Sequence, residues 1–428
     1  MKSNKLNVFP LLLLMPSTSL IAATNGVTFD LAASAKYSDN ATRQEDEKIG
    51  EMQNQYDLGV NAHYDTEWMY LTSEYNAQRQ TFEKELQPNY NMLEGTTELN
   101  FGRSYDPASL LITHSRRSLL NTPDAIDSTR NRDERDIITA QPKFTWRATD
   151  ADSLILSGSV SDISYRTNDS KDSTQTGGQF IWSRNITRVD QLQLSVNGSK
   201  TEFDNFPASD YEYQSIALQY SAQLSHLSYS IRAGQNRAIR DDSEDDYSNP
   251  SYTFVGTYTS GVNTFKLVAS QLITDSSRGN GNRQSLSDSD NEAINVGIDL
   301  INIRELEVSW STSALCERCL VNVNASTTES DYQSLPEDSD ESSVGAGISY
   351  KLTRAASLRL DVGRHKRSFA DESARGDYTA DRGNISFNYA FVNDVSLKVY
   401  MQAEKRDSSG TSQNYDENIA GISLSYRF

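Results

Sequence analysis

After residue 23 the sequence lacks any long apolar run. No uncharged apolar stretch approaches the roughly 18 residues that a membrane-spanning helix requires. The mean hydropathy is −0.63, which is polar for a membrane protein. These features exclude a helical membrane protein and leave two classes, a secreted soluble protein and a β-barrel. A β-barrel remains possible because only every second strand residue faces lipid, so its sequence can be polar overall.

Cysteine is nearly absent, which narrows the chemistry further. Two cysteines occur, both in Cys316-Glu317-Arg318-Cys319. No cysteine directly follows the N-terminal apolar run, so a lipoprotein is not expected. Redox catalysis would require a βαβ context, and zinc would require further ligands nearby; neither surrounds this motif. In an oxidising compartment we expect a short disulfide, dispensable for transport, at the start of the longest outer loop.

Histidine is scarce as well, with four in the chain. His114 and Ser115 are adjacent, and adjacent strand residues point to opposite faces, which argues against one catalytic site holding both. We therefore expect no enzymatic activity, no metal and no other cofactor. We also expect no nucleic-acid partner.

The N-terminus has the features of a secretory signal. Lys2 and Lys5 precede an apolar segment, 6–21, and Ile21-Ala22-Ala23 offers a small-residue cleavage site. The sequence predicts a signal peptide over 1–23 and a single mature domain over 24–428.

Alternating apolar and polar residues dominate the mature chain. In 418–428, Ala420, Ile422, Leu424, Tyr426 and Phe428 share one face, and smaller or polar residues share the other. Such alternation predicts a strand with two different environments. The same pattern recurs at 27–37, 56–64, 138–146, 192–196, 294–300, 344–352 and 385–391.

The predicted connections alternate between short and long. The short ones are 65–67, 149–151, 225–226, 260–263 and 392–394. The long polar ones are 39–52, 117–133, 167–173, 241–247, 275–290, 317–341, 369–380 and 407–414. This is typical of an all-β, antiparallel, up-and-down transmembrane barrel, here of about 18–20 strands. Weak alternation at 110–115 and 264–271 leaves the lower count open. A soluble β-sandwich is the competing architecture, but it would not need so many long hairpins.

The chain end and the aromatic residues favour the membrane. We expect the first and last strands to pair, because an open sheet edge cannot exist in lipid. Aromatic residues cluster near the predicted strand ends, as in interfacial girdles, with Trp310 expected mid-strand as an exception. A final strand ending in Phe428 resembles the closing strand of outer-membrane barrels. That resemblance implies recognition by the insertion machinery and a location in the outer-membrane lipid of a Gram-negative bacterium.

Charge is unevenly distributed, although the net value is −19. Many acidic residues fall in the predicted loops, whereas the inner face mixes both signs with Ser, Thr, Asn and Gln. A barrel of this size is wide enough for an aqueous channel. The candidate lumen-lining residues are Asp30, Lys36, Asp57, His63, Glu98, Lys143, Arg232, Lys266, Asp299, Arg359 and Lys398.

The long loop 117–133 differs from the others because its charges flank a partly apolar centre. An apolar centre has little reason to sit in bulk water, so one hypothesis is that the loop folds into the lumen and restricts it. Facing charges would then screen what passes a narrow point. An external loop held by its own ion pairs is the alternative. The candidate pore-constriction residues are Arg116, Arg117, Asp124, Asp127, Arg130 and Arg132.

One short motif points to a family. The first strand ends in Tyr37-Ser38-Asp39-Asn40-Ala41. This Tyr-x-Asp-Asn ending resembles the outer-membrane β-barrels encoded with exopolysaccharide operons, the EpsL-like or VpsM-like group. That group is also described as β-barrel porin 2 and as PEP-CTERM-system-associated. The resemblance implies export of a secreted polysaccharide, with periplasmic export partners. A general or small-solute porin is the alternative, and a structural or adhesive barrel with a plugged lumen is the third.

Overall fold

The protein forms a closed antiparallel barrel of 20 strands, as seen in a computed structural model. The structure describes residues 25–103, 106–120, 128–240, 246–275, 299–370, 376–409 and 414–428. Asp124 and Asp127 lie outside the described residues, and so does the predicted signal peptide. Within the described ranges, no helix is both long and apolar enough to cross a membrane.

The first ten strands are β1 (Gly26–Ser38), β2 (Glu51–Asp65), β3 (Met69–Phe82), β4 (Tyr90–Phe101), β5 (Ala108–Leu120), β6 (Arg132–Arg147), β7 (Asp152–Tyr165), β8 (Ser173–Asn185), β9 (Asp190–Phe203) and β10 (Tyr211–Gln223). The second ten are β11 (Leu227–Arg240), β12 (Tyr247–Ser260), β13 (Asn263–Asp275), β14 (Leu300–Thr312), β15 (Cys319–Tyr332), β16 (Ser339–Lys351), β17 (Ala356–Phe369), β18 (Tyr378–Ala390), β19 (Val395–Ser408) and β20 (Tyr415–Arg427). Short 3-10 turns lie at Thr129–Asn131, Asp169–Lys171 and Pro207–Ser209.

Each strand pairs with its sequence neighbours, and β1 pairs with β20 to close the barrel. The register of this closing seam runs from Asp30↔Arg427 to Ser38↔Ile419. The predicted pairing of first and last strands is therefore confirmed. The two weak segments, 110–115 and 264–271, lie in β5 and β13, so the higher strand count is correct.

Connections at the two ends of the barrel differ in length, as predicted. One end carries short turns such as 66–68 and 261–262, together with both termini of the described chain. The other end carries longer loops such as 39–50 and 166–172. In outer-membrane barrels the short turns face the periplasm.

One predicted loop is wrong. The stretch 317–341 contains β15, so no long outer loop occupies it. Alternation in this stretch is short: Val321, Val323 and Ala325 share one face, but the next residues on that face, Thr327 and Glu329, are polar. Cys316 therefore lies in the turn 313–318 between β14 and β15, at the short-turn end, and the expected outer location is wrong.

Aromatic side chains ring the short-turn end. Trp68 stacks on Phe101, and Tyr426 stacks on Phe428. Trp310 belongs to this ring, because it lies two residues before the end of β14 and stacks on Phe265. Its expected mid-strand position is wrong, since β14 ends at Thr312.

The Tyr-x-Asp-Asn motif has a structural role at the closing seam. The Asp39 carboxylate accepts hydrogen bonds from the backbone N–H and the side-chain amide of Asn418, at 2.7 and 2.8 Å. Asn40 is fully buried, and its amide donates to the carbonyls of Gln44 and Asp416. The motif thus joins the first strand to the last where the outer loops begin.

We expect Asn40→Ala to destabilise the barrel by about 2 kcal/mol, because buried acceptors and donors lose their partners. The measurement is the detergent-phase unfolding temperature, followed by heat-dependent gel mobility and circular dichroism. Asp46→Ala, in the exposed part of the same loop, is the matched control and should leave that temperature unchanged. Equal effects of both variants would contradict a specific role for the motif.

Candidate functional site: the lumen and two inward-folded hairpins

The two faces of the wall are chemically distinct. Large apolar side chains on one face are well exposed, for example Leu156 at 60% and Val362 at 54%, as expected for contact with lipid. The other face is polar and hydrogen-bonded. Asp57, for instance, accepts from the side-chain amides of Gln55 and Gln78. This polar face lines the lumen.

The predicted lumen residues that belong to strands all fall on the polar face. They are Asp30, Lys36, Asp57, His63, Glu98, Lys143, Arg232, Lys266, Arg359 and Lys398. Asp299 is different, because it precedes β14 and is buried against Arg240, with an Nη2–Oδ1 distance of 2.6 Å.

The outer ends of β5 and β6, with the 3-10 turn Thr129–Asn131, form the third outer hairpin. β4 begins at Tyr90, but its pairing with β5 ends at Gly95↔Arg116. Beyond that point the hairpin leaves the wall and packs on the lumen side of β4. Ser118 N–H donates to a Glu94 carboxylate oxygen at 2.9 Å, and an Arg132 nitrogen lies 3.8 Å from the Met92 sulfur.

The base of the third loop lies inside the bore. Ser128, Thr129 and Arg132 line a cavity of about 330 Å³ together with lumen-facing Gln78 and Gln80. The sequence left two positions open for loop 117–133, inside the lumen and outside the barrel, and the described base of the loop lies in the lumen.

Several charged residues of this hairpin pair with one another, which differs from two facing rows of opposite charge across the bore. Arg116 lies on β5 and pairs with Glu134 at 2.6 Å and Asp136 at 3.6 Å. Arg117, also on β5, lies directly opposite Arg135 on the lumen face. Arg130 lies in the 3-10 turn and Arg132 begins β6. Arg116 is thus neutralised locally, on the strand face opposite to that of Arg117.

A second inward fold involves the outer ends of β13 and β14, which we call the seventh outer hairpin. Pairing between β12 and β13 ends at Tyr252↔Gln271, whereas β13 and β14 remain paired as far as Asp275↔Leu300. The last residues of β13 therefore have no partner on β12. They lie instead against the lumen side of β9–β11.

Contacts with the opposite layer hold this hairpin inside. Ile273 and Leu300 pack in one buried cluster with lumen-facing Phe203, Tyr211 and Ala238. Tyr211 donates its hydroxyl proton to Asp275 at 2.5 Å. The backbone N–H of Ile273 donates to the Asn236 side-chain oxygen at 3.1 Å, and the Arg240–Asp299 ion pair lies beside it.

The two hairpins approach each other at Tyr165, which faces the lumen at the outer end of β7. Its hydroxyl is hydrogen-bonded to Arg135 of the third hairpin and is within electrostatic range of Asp275 of the seventh. The bore is therefore narrowed from two sides at its outer end.

Sequence reasoning missed the seventh hairpin, although a signal was present. Leu300, Ile301 and Ile303 put apolar side chains on both faces of the start of β14, and all three are buried. An apolar run without alternation indicates a strand that is covered on both faces. A strand in a single-layer wall would keep one polar face toward the lumen.

Loop 39–50 closes over the seam through a buried charge. Arg43 pairs with Glu417 at 2.8 Å and lies over the Tyr415 ring. Burial alone would lower the pKa of Arg43, but the nearby Tyr415, Glu417 and Glu404 raise it above its ordinary value. The guanidinium therefore stays charged, and it compensates Glu417 in the buried environment.

The histidine, serine and cysteine residues considered from the sequence lie at separate places in the barrel. His114 lies on the lipid-side face, hydrogen-bonded to Tyr75 and to Asp136, whereas Ser115 faces the lumen. Cys316 and Cys319 form a disulfide with a Cα–Cα distance of 5.2 Å. Among the described residues, no group of His, Cys, Asp and Glu side chains has an arrangement that could hold a metal ion.

No family model matches the sequence, and no curated protein matches it. Many solved structures share the fold. The chain is similar to the FrpB iron transporter of Neisseria meningitidis (F3-3 variant), with a TM-score of 0.52 and 9% identity over 94% of this chain and 81% of that one. It is also similar to OpdL of Pseudomonas aeruginosa, with a TM-score of 0.39 and 12% identity over 94% of this chain and 98% of that one.

The fold is that of an outer-membrane β-barrel. The protein is located in the outer membrane of a Gram-negative bacterium, where the exposed apolar face contacts the lipid. A channel role is consistent with this architecture and with the polar lumen. At these sequence identities the similarity shows the fold and does not identify a substrate.

We expect removal of either hairpin to widen the bore. Replacing 119–131, or separately 273–301, by a short Gly-Ser turn should raise single-channel conductance severalfold, and the double variant should exceed both. Shortening loop 204–209 instead is the control, because it leaves both hairpins in place. Unchanged conductance in a correctly folded double variant would contradict a constriction at this level.

Proposed function

We propose that this barrel is an outer-membrane channel for the export of a secreted polysaccharide. The observation that carries the proposal is the composition of the lumen wall. On β9, for example, the lumen-facing residues below Phe203 are Gln191, Gln193, Ser195, Asn197, Ser199 and Thr201. Hydroxyl and amide groups both donate and accept hydrogen bonds, as the hydroxyls of a glycan do.

A lumen wall of neutral polar groups suits a glycan that must keep moving through the bore. Neutral hydrogen bonds exchanged with water contribute only about 1 kcal/mol each, so no single level of the bore would hold the glycan. The third and seventh hairpins supply a restriction at the outer end, which a channel for a continuous polymer needs to limit leakage. The resemblance at Tyr37-Ser38-Asp39-Asn40 supports the same function, with export partners on the periplasmic side.

A small-solute diffusion porin is the second candidate. The inward position of both hairpins favours it, because a narrowed bore also selects solutes by size. A structural or adhesive barrel would require the hairpins to close the lumen completely.

Deletion of the gene should abolish secretion and leave polysaccharide in the periplasm, measured by fractionation and sugar analysis. A plasmid copy should restore secretion. Normal secretion in the deletion strain, combined with slower uptake of small solutes, would overturn export in favour of the porin. Unchanged secretion and uptake would favour the structural barrel.

The chain end should matter for assembly. Phe428 hydrogen-bonds to the backbone of Phe29 and stacks on its ring, with centroids 5.3 Å apart. We propose that it also serves recognition by the insertion machinery, so its deletion should strongly reduce the folded protein in the outer membrane. Folded protein is measured by heat-modifiable mobility in membrane fractions.

Phe29→Ala is the matched control for this deletion. It removes the stacking at the seam but keeps the terminal aromatic residue. It should lower the unfolding temperature while leaving assembly near the wild-type level. Equal assembly defects in both variants would assign the role of Phe428 to seam stability alone.

A further inference from the structure

Part of the lumen wall carries almost no charge. On β7, β8, β9, β10 and β12, all of whose residues the structure describes, every lumen-facing side chain is uncharged. We call this sector, together with β11 between its members, the uncharged wall. Arg232 and Arg240 of β11 are the lumen-facing charges in it.

The opposite side of the bore differs sharply. The acidic and basic lumen-facing residues on β16–β20 are Glu341, Lys351, Arg359, Asp361, His365, Arg367, Arg382, Lys398, Glu404, Arg406, Glu417 and Arg427. Many are engaged with one another, such as Arg382 with Glu404 at 3.1 Å and Arg359 with Asp361 at 2.8 Å. This side therefore mixes ion pairs with further basic side chains, such as Lys398, which lies over the Tyr400 ring.

We propose that the uncharged wall is the path of the transported glycan and that it selects an uncharged polymer. This inference rests on the proposed export function and adds the substrate class and the side of the bore. A cavity of about 400 Å³ lies on this wall and marks the place of closest contact.

The cavity has the groups that recognise a neutral sugar. Its lining includes Asn197, Gln219, Arg232 and Thr253. Gln219 and Thr253 are the cross-strand neighbours of Arg232, so these residues form one transverse row. Arg232 donates one hydrogen bond to the Ser195 hydroxyl at 3.2 Å. Its other N–H groups have no acceptor among the described residues and can donate to glycan oxygens.

An anionic polymer does not fit this wall. A carboxylate or sulfate on every repeat would require basic partners along its path. Arg240 forms an ion pair with Asp299. Arg232 is then the single cation of the uncharged wall that could bind a carboxylate or sulfate of the polymer. Lys266, beyond this wall on β13, lies 3.8 Å from Glu307. A neutral glycan needs no counter-charge.

The test uses the purified full-length channel in planar bilayers, with sugars added from the periplasmic side. The probes are maltohexaose, which is uncharged, and a hexauronate of the same length. Ion-current blockage gives an apparent Kd for each. We expect maltohexaose to bind, and the hexauronate to bind at least about tenfold more weakly because its charges lack partners.

Gln219→Leu removes hydrogen-bonding groups from the cavity row while keeping side-chain size. It should weaken maltohexaose binding by roughly threefold to tenfold, the worth of one or two hydrogen bonds. The matched control is Gln402→Leu, lumen-facing on β19 on the charged side, which should change the Kd by less than about twofold.

Two outcomes would overturn the inference: tighter binding of the hexauronate by the wild type, or equal weakening by the two Leu variants. This measurement is independent of secretion in cells. A channel that binds maltohexaose on this wall but is dispensable for secretion would keep the inference and remove the export function.

Discussion

The whole structure depends on one constraint: a sheet in lipid cannot leave an edge unpaired. Backbone N–H and C=O groups have no water to bond to in the hydrocarbon core, so the first strand must find the last. The β1–β20 register meets this requirement over Asp30 to Ser38. Side chains of the Tyr-x-Asp-Asn motif continue the connection past the strands, through Asp39 and Asn40. The motif behind the family resemblance therefore has a physical role in closure.

Outside the lipid the constraint is relaxed, and the chain uses this freedom twice. β5–β6 separates from β4, and β13–β14 separates from β12, in each case near the outer end. The exposed backbone groups find other partners, including the Glu94 carboxylate and the Asn236 amide. Strand ends that leave the wall can only turn outward into water or inward across the bore. Buried apolar residues such as Ile273 and Leu300 explain the inward direction.

The fold by itself does not distinguish among channels, since barrels of this class carry many functions. The distinction lies in how charge is arranged around the lumen. One side holds many charged side chains, several of them in ion pairs, and the other presents hydroxyl and amide groups interrupted by Arg232. Such asymmetry gives a passing polymer one wall on which it can exchange hydrogen bonds and another that is occupied by its own interactions.

The sequence by itself determined the architecture. Alternation of period two shows directly which face of a strand meets lipid. The positions of most strands, the pairing of the first strand with the last, and the lumen positions of residues such as Asp57 and Arg359 could therefore be predicted. For loop 117–133 the sequence left two positions open, inside the bore and outside the barrel. Only the tertiary structure decided where strands separate from their neighbours, because separation depends on contacts between residues distant in sequence, such as Tyr211 with Asp275. The side of the membrane reached by Cys316 was likewise decided by strand parity, which a single missed strand, β15, reverses.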